Sequence, residues 1–425
     1  MTLGLAFILG AFVLFFAGLP IFSVIGLVAL AVGLISPVPI IDSLGMTAWG
    51  QSQNYVLISV PLFIMLGEIF VRSGIAGEMY DAVAPWLNRV PGRLMQTNVA
   101  TSAIFAATSG SSLATAATIG SIAIPQIRLH GYNERIFLGT IAAGGTLGIL
   151  IPPSINMIVY GSITNTSIPE LYLAGIVPGL ILTALFMLTT VVLCTLRPDW
   201  GGKPIETDWG MRMRTLPKLL PPLGLFLVVV GSIYAGIATP TEAAALGVVA
   251  TLLLALAKGR MSLKILHGAL FATAKTNAIL MIIIVFAALL NFALGLIGFS
   301  RLLDAFVQGL SLGKYELILI VVLIYLVLGC FLEGLSLTVL TVPVLAPIMA
   351  GAGFDPVWFG IMVILATEAG MITPPVGMNC YVVQASRGGQ GSLMDVFVGV
   401  SPYLIALLAL VAILIAWPGV ALWYR

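Results

Sequence analysis

Gly144-Gly145-Thr146-Leu147-Gly148-Ile149-Leu150-Ile151-Pro152-Pro153-Ser154 breaks the usual rules for a membrane helix, and the chain carries a second version in Thr367-Glu368-Ala369-Gly370-Met371-Ile372-Thr373-Pro374-Pro375-Val376. Each lies in an apolar stretch and ends in two prolines, which have no amide hydrogen to donate and so free carbonyls one turn earlier. The likeness extends outward: residues 111–154 align without a gap on residues 333–376, at the offset of 222 that separates Pro125 from Pro347. Leu113, Pro125, Gly131, Phe137, Gly148, Pro152 and Pro153 recur as Leu335, Pro347, Gly353, Phe359, Gly370, Pro374 and Pro375, most of them backbone punctuation. Interrupted apolar segments at matching positions of two halves point to a transporter's binding site. The chain is therefore expected to move a solute.

The composition agrees. With 425 residues, 60% hydrophobic, 8% charged and a mean hydropathy of +1.15, the chain cannot cover itself with polar surface. Apolar stretches of about 20 residues recur from end to end, each long enough to cross a bilayer as a helix. The short alternating strands of a barrel are missing from the pattern. An all-α polytopic membrane protein in contact with lipid follows. Leu3 to Leu19 has no basic residue before it and no small-residue cleavage site, and reads as a retained helix. The net charge of +2 rests on 18 Lys and Arg with no basic stripe, which excludes nucleic acid as a partner. Cys194, Cys330 and Cys380 lie far apart in apolar surroundings and read as buried small hydrophobes, while His130 and His267 read as loop residues.

Charge placement sets the topology, because Lys and Arg stay on the cytoplasmic side. Crossings are expected at 3–19, 21–41 and 55–71, then a re-entrant hairpin at 95–127, a broken helix at 136–165 and a crossing at 171–196. The second half repeats this as 218–238, 242–257, 276–299, hairpin 316–350, broken helix 356–385 and 394–423. Two inverted-topology repeats result, 1–196 and 218–425, joined by a cytoplasmic arm at 197–217. With both termini periplasmic, 15 of the 18 basic residues fall inside, leaving out Arg301, Lys314 and Arg425. Met79, Val83 and Leu87 in one segment, and Leu302, Leu303, Phe306 and Leu310 in another, have helical spacing. They suit either flat interfacial helices or ordinary connectors with one buried stripe.

Halfway through the first hairpin the apolar run gives way to Thr108, Ser109, Gly110, Ser111 and Ser112. Non-helical backbone at that depth persists only when buried in protein or lining a wet cavity, so the tip needs an opposing partner. The broken helix supplies one. Hard cations take oxygen ligands, and freed carbonyls with a few hydroxyls can replace the hydration shell of sodium. The expected sodium ligands are Ser111, Ser112, Gly145, Gly148 and Pro152 in the first half, and Glu333, Gly334, Thr367, Gly370 and Thr373 in the second. The competing explanation is that these small residues only let helices pack closely.

Half-helices that start after the breaks aim their amide dipoles at the membrane centre, where they can hold a carboxylate. Thr108, Ser109, Ser154, Asn156, Thr373 and Asn379 are the candidates for contact with a small organic anion, although either asparagine could instead satisfy the broken backbone. Glu333 and Glu368 could each ligate a cation, carry a proton or pair with a backbone amide. Glu68 precedes Arg72 by one turn and should pair with it. Thr239-Pro240-Thr241-Glu242 has the pattern of a capping box. Lys275 is expected to open the ninth element and snorkel to the surface.

Taken together, Ser109-Gly110-Ser111, Pro152-Pro153-Ser154, Ala174-Gly175-Ile176-Val177-Pro178-Gly179, Thr239-Pro240-Thr241-Glu242-Ala243 and Ile372-Thr373-Pro374-Pro375-Val376-Gly377 resemble the large membrane subunit of the tripartite ATP-independent periplasmic (TRAP) transporters. The likeness covers essentially the whole chain. It implies an elevator in the bacterial inner membrane, with hairpins and broken helices moving as one transport domain against a scaffold. Sodium coupling, a small four-helix membrane partner and a periplasmic substrate-binding protein are implied as well. Many members carry an Asp shortly after the first Ser-Gly-Ser, where this chain has Thr115, and no Arg precedes Arg72. Two other functions are weighed against sodium-driven uptake: an ion-coupled organic anion carrier of similar architecture that needs no binding protein, and an intramembrane serine hydrolase using Ser109 or Ser111. The second needs a base within hydrogen-bond reach.

Overall fold

A computed structural model describes residues 10, 13–15, 17–35, 40–299, 309 and 312–425. The described residues form helices and turns without a strand. In chain order these are α1 (Ile21–Ile35), α2 (Ile40–Ser52), α3 (Ser59–Arg72), α4 (Ile75–Leu87), α5 (Leu94–Ser109), α6 (Ser112–His130), α7 (Glu134–Leu150), α8 (Ile155–Thr164) and α9 (Ile168–Leu196). After a connecting segment come α10 (Trp209–Tyr234, with 3-10 and π turns), α11 (Pro240–Ala257) and α12 (Leu263–Leu296). The last group is α13 (Lys314–Gly329), α14 (Gly334–Gly351), α15 (Pro356–Met371), α16 (Met378–Ser386) and α17 (Leu393–Ala416). Among the described residues seven helices are long and apolar enough to cross a membrane, and α7 with α8 makes an eighth span bent by 40°.

Local chemistry explains the boundaries. Ser111, Asn133, Ser154, Asp208, Ser262 and Ser392 each accept an amide hydrogen from the first turn of the helix they precede, satisfying donors that have no partner within the helix. The expected capping box at Thr239 and Glu242 is formed, with Pro240 opening α11. Glu68 and Arg72 pair at 2.8 Å. Met79 and Val83 are buried where α4 packs against α5 and the segment 209–219, so its stripe faces protein.

Several expected boundaries shift. Of the crossing placed at 21–41, helix covers Ile21–Ile35 as α1, α2 begins at Ile40 and runs beyond the expected end, and residues 36–39 lie outside the described residues. Lys275 lies well inside α12, because the Ser262 cap starts that helix twelve residues before the predicted opening at residue 275. Most of 3–19 and nearly all of 300–310 lie outside the described residues.

Helix α17 shows how the two copies are set. Near its start, the carbonyl of Gly399 approaches Gly139 so closely that a Cβ there would come within 2.1 Å of it, and Arg135 of α7 pairs with Asp395 at 2.9 Å. At its other end, Trp358 at the start of α15 donates to the Leu414 carbonyl at 3.1 Å, and Arg425 pairs with Asp355. Helices α7 and α15 therefore begin at opposite ends of α17 and run in opposite directions. Elsewhere α1, α3, α11 and α12 pack on one another, as α12 on α1 and α3 and α11 on α3.

Candidate functional site

The first hairpin turns at Gly110, in a left-handed conformation with φ of 59° that favours glycine. A Cβ at Gly110 would lie 2.9 Å from the Pro153 carbonyl, so the hairpin tip sits directly on the first Pro-Pro break. At Gly148 a Cβ would meet the Ser111 carbonyl at 2.6 Å and the Thr115 hydroxyl at 2.7 Å. Thr115 donates to the Ser111 carbonyl at 2.8 Å, and its hydroxyl shares a 3.0 Å hydrogen bond with that of Ser109. Thr115 thus stitches the tip to itself. Ser111 caps α6, Ser154 caps α8, and Thr108 donates to the Phe105 carbonyl of its own helix.

The second hairpin is built with different parts. Glu333 caps α14, accepting the Leu335 and Ser336 amides, each at 3.2 Å, and the Ser336 hydroxyl at 3.3 Å. Its carboxylate therefore faces the positive end of a helix. A Cβ at Gly370 would fall 2.6 Å from the Gly329 Cα and 2.8 Å from the Tyr325 carbonyl, so α13 and α15 cross backbone to backbone. The amide of Gly377 donates to the Cys330 carbonyl at 3.0 Å, and Thr373 donates to the Ala369 carbonyl at 2.6 Å. Gly148 and Gly370 thus serve close packing, whatever else their carbonyls do.

Each hairpin is also held by the opposite half. Helix α8, which follows the first break, packs on α14, while α16, which follows the second, packs on α6. The asparagines mark the exchange. The Asn156 amide nitrogen stands 3.0 Å from the position a Gly334 Cβ would occupy, with the Thr367 methyl 3.4 Å from the same point. The Asn379 amide nitrogen and the Ser112 carbonyl are each 3.3 Å from the corresponding point at Gly145. Asn156 Nδ2, Thr367 Oγ1 and both amide atoms of Asn379 are buried without a hydrogen-bond partner. Satisfying the broken backbone, one of the roles considered for the asparagines, is therefore not how Asn379 is used.

A cavity of about 470 Å³ opens between the tips. Ser109 to Ala114, Asn156 and Glu333 to Ser336 line it from the hairpin side, and Glu68, Thr276 and Ile283 from the side of α3 and α12. Of the expected site residues, Thr108, Gly145, Gly148, Pro152, Ser154, Thr367, Gly370, Thr373 and Asn379 are not part of its wall. Glu368, for which the sequence leaves open a cation ligand, a proton carrier or a partner for a backbone amide, is not among the expected sodium ligands. It is fully buried on α15, and one carboxylate oxygen accepts the Ser112 hydroxyl across the boundary between the halves. Its position as an acid inside the second break is evident in the sequence; its contact with Ser112 is not. The hydroxyls of Ser109 and Ser111, considered above as nucleophiles, are engaged with Thr115 and with the start of α6.

A family model described as the tripartite ATP-independent periplasmic transporter, DctM component, matches residues 8–420. The C4-dicarboxylate TRAP transporter large permease protein DctM of Pseudomonas aeruginosa is 34% identical over 93% of this chain and 91% of its own length. The ectoine TRAP transporter large permease protein TeaC of Halomonas elongata is 33% identical, covering 87% of this chain and 86% of that protein. The sialic acid TRAP transporter large permease protein SiaM of Vibrio cholerae is 31% identical, with 95% and 94% covered. In fold, the chain is similar to the crystal structure of the Alcanivorax borkumensis YdaH transporter, with a TM-score of 0.63 at 15% identity over 95% of this chain and 96% of that one.

Proposed function

The chain belongs to the DctM component family of the tripartite ATP-independent periplasmic transporters, and we propose from that premise that it is a sodium-driven importer of a small organic anion. The substrate would arrive on a periplasmic binding protein, and a small four-helix subunit would sit beside the permease in the bacterial inner membrane with both chain termini periplasmic. The observation that carries the reading is the convergence of two hairpin tips and two Pro-Pro breaks on one place, each tip held by its own break and by the helix beyond the other break. Interrupted helices at matching positions are where transporters bind substrate and coupling ions.

In this reading residues 1–196 and 218–425 are inverted repeats joined by 197–217, and the opposite directions of α7 and α15 support that arrangement. One sodium ion sits between the first tip and its break, with Ser111, Ser112, Gly145, Gly148 and Pro152 as the oxygen-bearing set. A second sits among Glu333, Gly334, Thr367, Gly370 and Thr373. The substrate carboxylate binds near Thr108, Ser109, Ser154, Asn156, Thr373 and Asn379, where the first turns of α6, α8, α14 and α16 offer amide groups. The hairpins and broken helices then move together against α1, α3, α11 and α12, carrying the cavity from one side to the other.

Uptake into proteoliposomes tests this. It should require an inward sodium gradient, the small subunit and the binding protein at once. Uptake unchanged with choline in place of sodium argues against the coupling. Uptake that persists without the binding protein favours a free-standing carrier of similar architecture.

A further inference from the structure

The two halves exchange equivalent helix contacts, and one hydrogen bond across their boundary has no counterpart in the other copy. At the offset of 222, Ser112 corresponds to Gly334 and Glu368 to Thr146. Ser112 and Glu368 are joined by a hydrogen bond across the boundary between the halves. Their counterparts carry no charge: Gly334 has no side chain, and Thr146 donates to the Ala143 carbonyl of its own helix at 2.6 Å. This contact therefore carries a carboxyl group on one side only.

That carboxyl has no countercharge. Glu368 is 0% exposed, its second oxygen has no hydrogen-bond partner, and among the described residues no Lys or Arg pairs with it. Asn379, whose amide nitrogen and the Ser112 carbonyl each lie 3.3 Å from the point a Gly145 Cβ would occupy, is also 0% exposed and has both amide atoms unpartnered. The charges on helices packed against α15 lie at their far ends or elsewhere: Glu134 and Arg135 on α7, Glu170 on α9, Lys314 and Glu316 on α13, Arg387 after α16, and Asp395 on α17. Glu333, at the second tip, is a carboxylate too and supplies no positive charge. Buried carboxylates are tolerated when they are paired or ligate a metal, and buried polar atoms without partners call for an explanation.

Resting on the sodium reading above, we propose that Glu368 is the charged ligand of the first sodium site. The site would be a seat on the boundary between the repeats, made by the carboxylate of Glu368, the hydroxyl and carbonyl of Ser112 and the side-chain oxygen of Asn379. An oxygen set of this kind suits a hard monovalent cation. The ion is held by both halves, so its binding draws the first hairpin and the second broken helix together. Each site then has one carboxylate, Glu368 supplied to the first by the opposite half and Glu333 to the second by its own hairpin tip.

The test is thermal unfolding of the full-length chain in detergent against a series of sodium chloride concentrations, with choline chloride keeping ionic strength constant. The wild type is expected to be stabilised by sodium over choline. Glu368→Gln should raise the half-saturating sodium concentration at least tenfold, Glu368→Asp by less, and Ser112→Ala about threefold. A Glu368→Gln protein that responds to sodium as the wild type does overturns the proposal while leaving the sodium reading intact. If Glu368→Gln does not fold, Ser112→Ala decides in its place, with an unchanged half-saturation counting against the site. A wild type that gains nothing from sodium over choline removes the sodium reading and this proposal with it.

Discussion

The two hairpin tips solve one problem with different chemistry. The first turns on Gly110 and is capped by the neutral hydroxyl of Ser111, with Thr115 tying the turn together. The second is capped by the carboxylate of Glu333, which takes two amides and a hydroxyl. Opposite each tip, the break relies on a glycine that no other residue can replace without moving backbone. Backbone placement is what the copies share, while charge is distributed between them unequally.

Filling either glycine is expected to have the largest effect. Gly148→Ala and Gly370→Ala each place a methyl group 2.6 Å from an atom of the facing backbone, and overpacking of this kind costs about 1–3 kcal/mol. Both variants should melt lower in detergent and lose uptake. Transport that survives in one alone shows that the breaks are not equivalent.

The caps sharpen the difference. Glu333→Ala is expected to lose about 1–2 kcal/mol, since it removes a charged acceptor at a helix N-terminus, and Ser111→Ala about 0.5–1 kcal/mol, as for a single neutral cap. Equal losses in thermal melts would mean that the carboxylate contributes nothing beyond a hydroxyl.

Away from the tips, Glu78 on α4 pairs with Lys258 and Arg260. Burial pushes its carboxyl upward, but the Lys258 hydrogen bond and the charges of Lys258, Arg260 and Lys218 outweigh that and hold it below its ordinary value of 4.5. A depressed pKa stabilises the fold above pH 4.5 and loses that contribution as pH falls through the lower, folded value. Glu78→Gln should therefore cost up to about 1 kcal/mol at pH 7 and less at acidic pH, read from melting temperatures across that range. A loss that does not vary with pH would assign the effect to packing.

The smallest stability effect is expected at Asn379. Its amide makes no hydrogen bond, so Asn379→Leu should change stability by less than about 0.5 kcal/mol or raise it, because an unpaired buried polar group is removed. Uptake should nonetheless fall at least tenfold. A large destabilisation would show that Asn379 supports the fold.

How much of this was legible in sequence follows from what each signal encodes. The Pro-Pro pairs, the capping box at Thr239 and the Glu68–Arg72 pair are local, and local chemistry can be read directly from neighbouring residues. The exchange of α8 and α16 between the halves is tertiary: nothing in the spacing of Asn156 or Asn379 says that each lies beside the other copy's hairpin. Glu368 shows the same limit, since its partner Ser112 is 256 residues away. The early start of α12 is hidden for a different reason: Lys264, His267 and Lys275 make its first turns polar, so the apolar run begins well after the Ser262 cap.

The central claim, that each break and its tip hold an alkali cation, is tested most directly by counting. Equilibrium binding of radioactive sodium to the purified chain should saturate at two or more ions per molecule, with choline unable to compete. Saturation at none, with the protein folded, contradicts it.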